Sequence, residues 1–572
     1  MKKLPILFLL LISNTLYSQN LTPYERGNGN QSTTFEEMRE FYRGLSRQFP
    51  AISYETRGED DNKAPIDVVI FNPSEQTLEG PRKDKSVLFI NNGIHPGEPD
   101  GIDATMILMR DLATGRIKAP KNVIIAAIAS YNVSGMLNRN GFSRANQNGP
   151  EEYGFRGNAR NYDLNRDFIK TDTRNSRSFQ QIFQWIKPDV FIDNHVSNGA
   201  DYQYTFTYIS TNKERLGKEL GDYFNGHMQR KLLMDLENDG FISVPYVNIH
   251  NDVPDGGFPV FMDSPRYATG YTSLFNVIGT VVETHMLKPY KERVKATYDY
   301  MLYNLKFIDE NHKVIRQKRI ENLKQYRIGN RYPIMWKLDS TKYENIDFKG
   351  FEAKYKPSEV SSESRLWYDR NAKFSKQVKL YNTYIPTKEI TIPMYYVIPQ
   401  SEWKIIDLLK LNQIKLNPIQ KDSIITVEQY KIKDFKTTSS PYEGHYLHYD
   451  THVFKELKKI KFRAGDFLVP LNQEGVKFLL ETLEPEAIDS YFNWNFFDAI
   501  LGQKEYYSAY VFEDTAAKLL KEDKDLKSAF DKEKASNSKF AADGKAQIDW
   551  VYRHSNYYEK SHLLYPIFRI MP

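Results

Sequence analysis

Between about residues 33 and 324, short β-branched runs alternate with longer amphipathic stretches. The apolar runs predict strands over 65–71, 86–91, 122–129, 188–193, 203–209 and 278–283. The segments between them carry helical periodicity and predict helices over 34–48, 99–113, 176–186, 213–235 and 289–317. Strands separated by helices of ten or more residues imply an α/β fold, a mixed and largely parallel sheet between helices. After the basic stretch at 313–331 the character changes. NTYIPTKEITIPMYYVI and the repeated single prolines read as antiparallel β, with helices expected at 474–484 and 515–522. We therefore expect an α/β domain over 19–325 and an α+β module over 326–572. With no low-complexity linker and no internal repeat, the two should pack together. The length of 572 residues agrees, being too great for one ordinary core.

Composition narrows the options by exclusion. The chain has 78 basic and 73 acidic residues, and a net charge of +5 is too small and too dispersed to point to nucleic acid or another polyanion. There is no cysteine, which excludes disulfides, thiolate metal sites and a cysteine nucleophile together. Any bound metal must then be held by His, Asp or Glu. At the N-terminus MKK, an apolar run over 4–12 and Ser18 have the layout of a secretory signal peptide over residues 1–18. That run is about half the length needed to span a bilayer, so it reads as a leader and not an anchor. Export to the periplasm or beyond is expected.

Four segments carry candidate chemistry. NNGIHPGEPDG follows the strand SVLFI and sets His95 and Glu98 three residues apart on a tight turn, an imidazole and a carboxylate suited to a small divalent ion. RGNARNYDLNRDF gathers Arg156, Arg160, Asp163, Asn165 and Arg166, and arginine is shaped for bidentate binding of a carboxylate. PDVFIDNH ends an apolar strand in Asp193, Asn194 and His195, and VIGTVVETHM delivers Glu283 in the same way. Strand ends of an open α/β sheet are where ligands bind.

In order and context these motifs resemble the carboxypeptidase A-like family of zinc metallocarboxypeptidases, over about the first 55% of the chain. The resemblance implies an eight-stranded mixed sheet between helices and one zinc ion per chain, held by His95, Glu98 and His195. Glu283 matches the general base, and Arg156 the arginine that stabilises the oxyanion. Asn165 and Arg166 match the pair that binds a peptide's terminal carboxylate, and Asp163 the carboxylate that orients the first zinc histidine. The implied substrate is a peptide with a free C-terminus. The family's active-site tyrosine falls in SPRYATGYTSLF, where Tyr267 and Tyr271 are both candidates and Arg266 is an added cation. Arg144, in an Asn-, Gly- and Arg-rich segment at 138–153 expected to rim the cleft, is a rival for the oxyanion role.

Other readings remain open from sequence. A zinc amidohydrolase acting on murein peptides or N-acyl amino acids would share the His-x-x-Glu and late-histidine pattern. An inactive peptide-binding envelope protein would retain the residues and use the C-terminal module. In GHYLHYDTH, His445, His448 and His452 have spacing compatible with a second metal, but their setting reads more simply as an exposed strand and turn. The many tyrosines and phenylalanines of the C-terminal module read as core packing before sugar stacking.

Overall fold

The structure, a computed structural model, describes residues 20–74, 84–250 and 252–572. The expected signal peptide lies outside the described residues. Its central feature is an eight-stranded sheet. The strands are β1 (Ile52–Glu59), β2 (Pro65–Phe71), β3 (Ser86–Asn91), β4 (Val123–Ile128), β5 (Val190–Ser197), β6 (Phe206–Ser210), β7 (Ser243–Pro245) and β9 (Ile278–His285). The two-residue β8 (Phe258–Pro259) joins a different sheet. The order is β1-β2-β4-β3-β5-β9-β6-β7, with β4, β3, β5 and β9 parallel and β1, β2 and β6 antiparallel to their inner neighbours.

The inner strands are apolar on both faces because helices cover both. Every residue of β3, β4 and β5 is buried. Parallel strands sandwiched in this way read as continuous hydrophobic runs. Edge strand β1, ISYETRGE, buries only Ile52, its other residues being half-buried or exposed, and is too polar to be predicted from apolar runs. Helices Phe35–Gln48, Asp100–Ala113, Arg174–Ile186 and Tyr290–Leu323 lie close to their expected spans. Thr34 begins the first with a capping box to Glu37, and Thr173 caps the third.

The helix expected over 213–235 is broken into Lys213–Leu216, Lys218–Tyr223, the π-turn Phe224–Met228 and Gln229–Asn238. Gly217 causes the first break. It sits at φ +97°, and a Cβ there would lie 2.4 Å from Gln325 Nε2 and Tyr326 Oη. The helix therefore gives way to close packing against the end of Tyr290–Leu323.

After residue 331 the chain forms three smaller sheets. The long hairpin Glu344–Pro357/Ser364–Tyr381 pairs in parallel with β8, so the two halves share a sheet. A six-stranded sheet includes Tyr395–Ile398, Ser423–Thr437 and His448–Phe462, and the last strand, Phe568–Ile570, returns to its interior. The expected helices appear as Val476–Leu483 and Ala509–Glu522, the second starting earlier than predicted. No helix among the described residues is long and apolar enough to cross a membrane.

One hydrophobic core runs through both halves: Phe275 stacks on Phe478 at 5.6 Å, and Tyr271 lies edge-on to Phe478 at 6.4 Å. Two ion pairs sit in the same interface, Arg215–Glu481 at 3.2 Å and Arg266–Asp489 at 2.7 Å. Asp489 has no exposed side-chain surface and also accepts from the Arg266 backbone and the Trp494 indole. Asp489→Ala would leave a desolvated guanidinium and two donors unpaired, and should lower unfolding free energy by about 3–5 kcal/mol in urea denaturation. A change under about 0.5 kcal/mol would show the pair to be inert.

Candidate metal centre and binding cleft

β3, β5 and β9 run parallel, so their C-terminal ends reach the same edge of the sheet. His95 and Glu98 follow β3 on a turn closed by the Glu98 N–H bonding to the His95 carbonyl at 2.8 Å. His195 lies near the end of β5 and pairs in register with Glu283 on β9. All four line one cavity of about 490 Å³, with Arg144, Arg156, Asn165, Arg166, Asp263 and Tyr267.

His95, Glu98 and His195 are each 3% exposed, and their donor atoms lie within 4.8 Å of one another. The two Nδ1 atoms are 3.2 Å apart, and Glu98 oxygens lie 3.3 Å from that of His95 and 3.1 Å from that of His195. Each ring turns its other nitrogen to a carboxylate: His95 Nε2 to Asp163 at 2.9 Å and His195 Nε2 to Asp193 at 2.9 Å. A carboxylate at Nε2 places the proton there and leaves the Nδ1 lone pair facing inward. Asp193 is two residues before His195, on the same face of the strand.

Two nitrogen donors and one carboxylate fit a small divalent cation of intermediate softness. No other such group of metal-binding side chains occurs among the described residues. Burial opposes the charge on Glu98, but Arg144 and the histidines outweigh it and hold the carboxyl well below its ordinary range. Arg144 Nη1 donates to Glu98 Oε1 at 2.6 Å, and Nη2 to the Val196 carbonyl at 3.1 Å. The segment 138–153 thus brings a cation onto the Glu98 carboxylate. That partnership spans 46 residues and has no local signature.

Glu283 faces the centre across the cavity. Burial pushes its carboxyl up to about 8, with His195 opposing and Glu98 adding to the rise. Arg156 donates to Asp163 Oδ2 through Nε at 3.1 Å and Nη2 at 2.8 Å, while Nη1 lies 3.2 Å from His95 Nδ1. Of the two rivals Arg156 is the more exposed, with 46% of its side chain open against 19% for Arg144. Asn165 and Arg166 occupy a single 3₁₀ turn, Leu164–Arg166, capped by the Asp163 side chain through the Asn165 N–H at 2.9 Å.

The two candidate tyrosines lie in different surroundings. Tyr267 lines the cavity with its ring 4.5 Å from the Arg166 guanidinium. Tyr271, expected among the substrate-binding residues, is instead fully buried, packed on Phe183 and Phe275, with its hydroxyl donating to Asn412 at 2.6 Å. It lies in the short helix Ala268–Ser273, whose residues are all buried. Arg266 is neither a surface cation nor free for substrate, being committed to Asp489.

GHYLHYDTH is not a simple exposed strand and turn. His448 is 4% exposed and bonded to Thr437 and Asp498, His445 reaches Asp172, and His452 lies by Asp450, so the three diverge. Asp263 and Tyr246 also line the cleft and were not anticipated. Asp263 is buried against Thr269, and burial pushes its carboxyl up to about 6.

No protein-family model matches the chain. Curated relatives do: carboxypeptidase 2 of Trichophyton rubrum is 27% identical over 169 residues, 28% of each chain. Carboxypeptidase 2 of Trichophyton tonsurans is 26% identical over 192 residues, 32% of each. The matches span about a third of these relatives' length. Among solved structures, a metallo-carboxypeptidase from Burkholderia cenocepacia aligns at 14% identity and TM-score 0.36, covering 49% of this chain and 70% of that one. Carboxypeptidase A from Helicoverpa armigera aligns at 11% identity and TM-score 0.37, covering 51% and 75%.

The protein should bind about one divalent cation per chain through these three donors. Elemental analysis should find that metal in the purified chain and only background in His195→Ala. Stoichiometric metal in the variant would place the centre elsewhere.

Proposed function

We propose that this protein is a zinc-dependent carboxypeptidase that removes residues from the C-terminus of peptides. The observation that carries the reading is a juxtaposition in one cavity. A buried His₂Glu donor set, a separate carboxylate on the neighbouring strand, and arginines at two distances from the donors lie together.

Zinc suits two imidazoles and a carboxylate better than magnesium or calcium, which favour all-oxygen sets. Held by His95, Glu98 and His195, it would supply Lewis acidity, lowering the pKa of water and polarising a carbonyl. The remaining roles belong to the chain's own side chains. Glu283 accepts the proton that attacking water loses and returns it to the departing amine. Burial raises its proton affinity, which suits holding the proton between the two transfers, and a cation held in the same cavity would favour the ionised form that the first transfer needs. Arg156, anchored by Asp163 with Nη1 turned inward, donates to the oxygen on which negative charge develops.

Arg166 and Asn165 take the terminal carboxylate. Arg166 is steadied by its contact with Tyr267, by its hydrogen bond with Tyr442 and by Nη1 donating to the Asn165 carbonyl at 2.8 Å. This anion site favours a substrate with a free terminal carboxylate beside the scissile amide over one without it. Residues 1–18 add export to the periplasm or beyond, from their signal-like pattern.

Two outcomes test this reading. Amidating the peptide's C-terminus removes the anionic partner of Arg166 and should cut turnover by roughly one to three orders of magnitude. Equal turnover of free and amidated peptide would favour an endopeptidase. Glu283→Gln should retain zinc while the rate falls by about two to four orders of magnitude, because shape survives and the proton acceptor does not. Glu98→Gln should instead lose zinc affinity, as a weakened ligand. Zinc loss in Glu283→Gln, or near-normal activity, would contradict the base assignment.

A further inference from the structure

The module after residue 331 meets the loop that borders the cleft at the turn Tyr442–Glu443–Gly444–His445. Tyr442 N–H bonds to the His445 carbonyl at 2.7 Å and His445 N–H to the Tyr442 carbonyl at 3.1 Å. Glu443 and Gly444 have φ of +48° and +84°, the signs of a two-residue type I′ turn. Gly444 is required twice: its φ is positive, and a Cβ would lie 2.6 Å from the Tyr162 hydroxyl oxygen. Glu443 is a non-glycine residue in the left-handed region, a conformation that persists only where surrounding contacts compel it.

Those contacts lead to the cleft. Glu443 Oε2 accepts the Asp163 N–H at 2.9 Å, 280 residues away in sequence. His445 Nε2 lies 2.8 Å from Asp172 Oδ2, which also accepts from Lys170 at 2.7 Å. Behind the turn, the fully buried Trp494 stacks on Tyr442 at 6.2 Å and meets His445 edge-on at 5.5 Å. The turn is thus fixed to the core on one side and to Asp163 on the other.

Asp163 is the residue on which the cleft converges. Its carboxylate holds His95 and Arg156 and caps the turn bearing Asn165 and Arg166. Its one backbone donor is taken by Glu443. We propose that Glu443 is a positioning residue for the peptide-binding cleft, supplied by the C-terminal half to hold Asp163 and, through it, the metal-binding imidazole and the carboxylate-binding turn. The peptide part of this statement rests on the carboxypeptidase reading. The geometric part does not.

The test uses the full chain with Glu443→Ala, Glu443→Asp and Glu443→Gln. Alanine removes the acceptor, aspartate keeps the charge but is too short to reach, and glutamine keeps an acceptor oxygen at the same reach. The alanine and aspartate variants should raise KM for a free-carboxylate peptide roughly tenfold, the loss expected for a charge-assisted hydrogen bond, with a smaller change in kcat. They should also weaken zinc severalfold in competition with a fluorescent chelator, in the manner of lost outer contacts. Glutamine, a neutral acceptor at the same reach, should restore a substantial part of both.

A fall in thermal midpoint with unchanged KM and zinc affinity in the aspartate variant would overturn the proposal, as would a glutamine variant as impaired as alanine. If the wild-type chain hydrolyses no peptide, the carboxypeptidase reading fails, and the zinc comparison alone still decides whether Glu443 positions the site.

Discussion

The site depends on one carboxylate. Asp163 lies between the His95 ring and the Arg156 guanidinium, and its oxygens also cap the turn that bears Asn165. Burial alone would push its proton affinity up, but His95, Arg156 and Arg166 together hold the carboxyl well below its ordinary range. The group therefore stays charged. A fixed charge here sets the His95 tautomer, anchors Arg156 and gives the Asn165–Arg166 turn its start. Three functions thereby share a single origin in the fold.

The sheet supplies the rest of the arrangement. Strand register sets His195 beside Glu283, and the two-residue period of β5 puts Asp193 on the face of His195. Gathering Glu98, Asp163, Asp193 and Glu283 about one buried point would be self-repelling without counter-charge. Arg144, Arg156 and Arg166 provide it from loops, and Arg144 answers Glu98 directly. Helix-covered apolar strands give a rigid floor, and polar loops above it carry the charges.

Much of this was legible in sequence, for physical reasons. The inner strands announce themselves because burial on both faces makes them continuously apolar. His95, Glu98, His195 and Glu283 stand out because polar residues abruptly end such runs, and the structure gathers all four in one cavity. Edge strand β1 was not visible, since only Ile52 of its eight residues is buried. Nor was the break at Gly217, which arises from packing against Tyr326 far along the chain. Tyr267 and Tyr271 are chemically alike and four residues apart, and only the placement of helix Ala268–Ser273 sends one to the cleft and the other to the core. The partnerships of Arg144 with Glu98, Arg266 with Asp489 and Glu443 with Asp163 are long-range and leave no local pattern.

The central claim is that the cleft recognises a free peptide C-terminus and cleaves the bond next to it. Mass-spectrometric mapping of products from an unmodified peptide, incubated with the zinc-loaded full chain, tests this most directly. The account predicts a ladder of products each shorter by one residue from the C-terminus, absent after chelation and restored by added zinc. Internal cleavage, or an intact peptide alongside deacylation of an N-acyl amino acid, would contradict it.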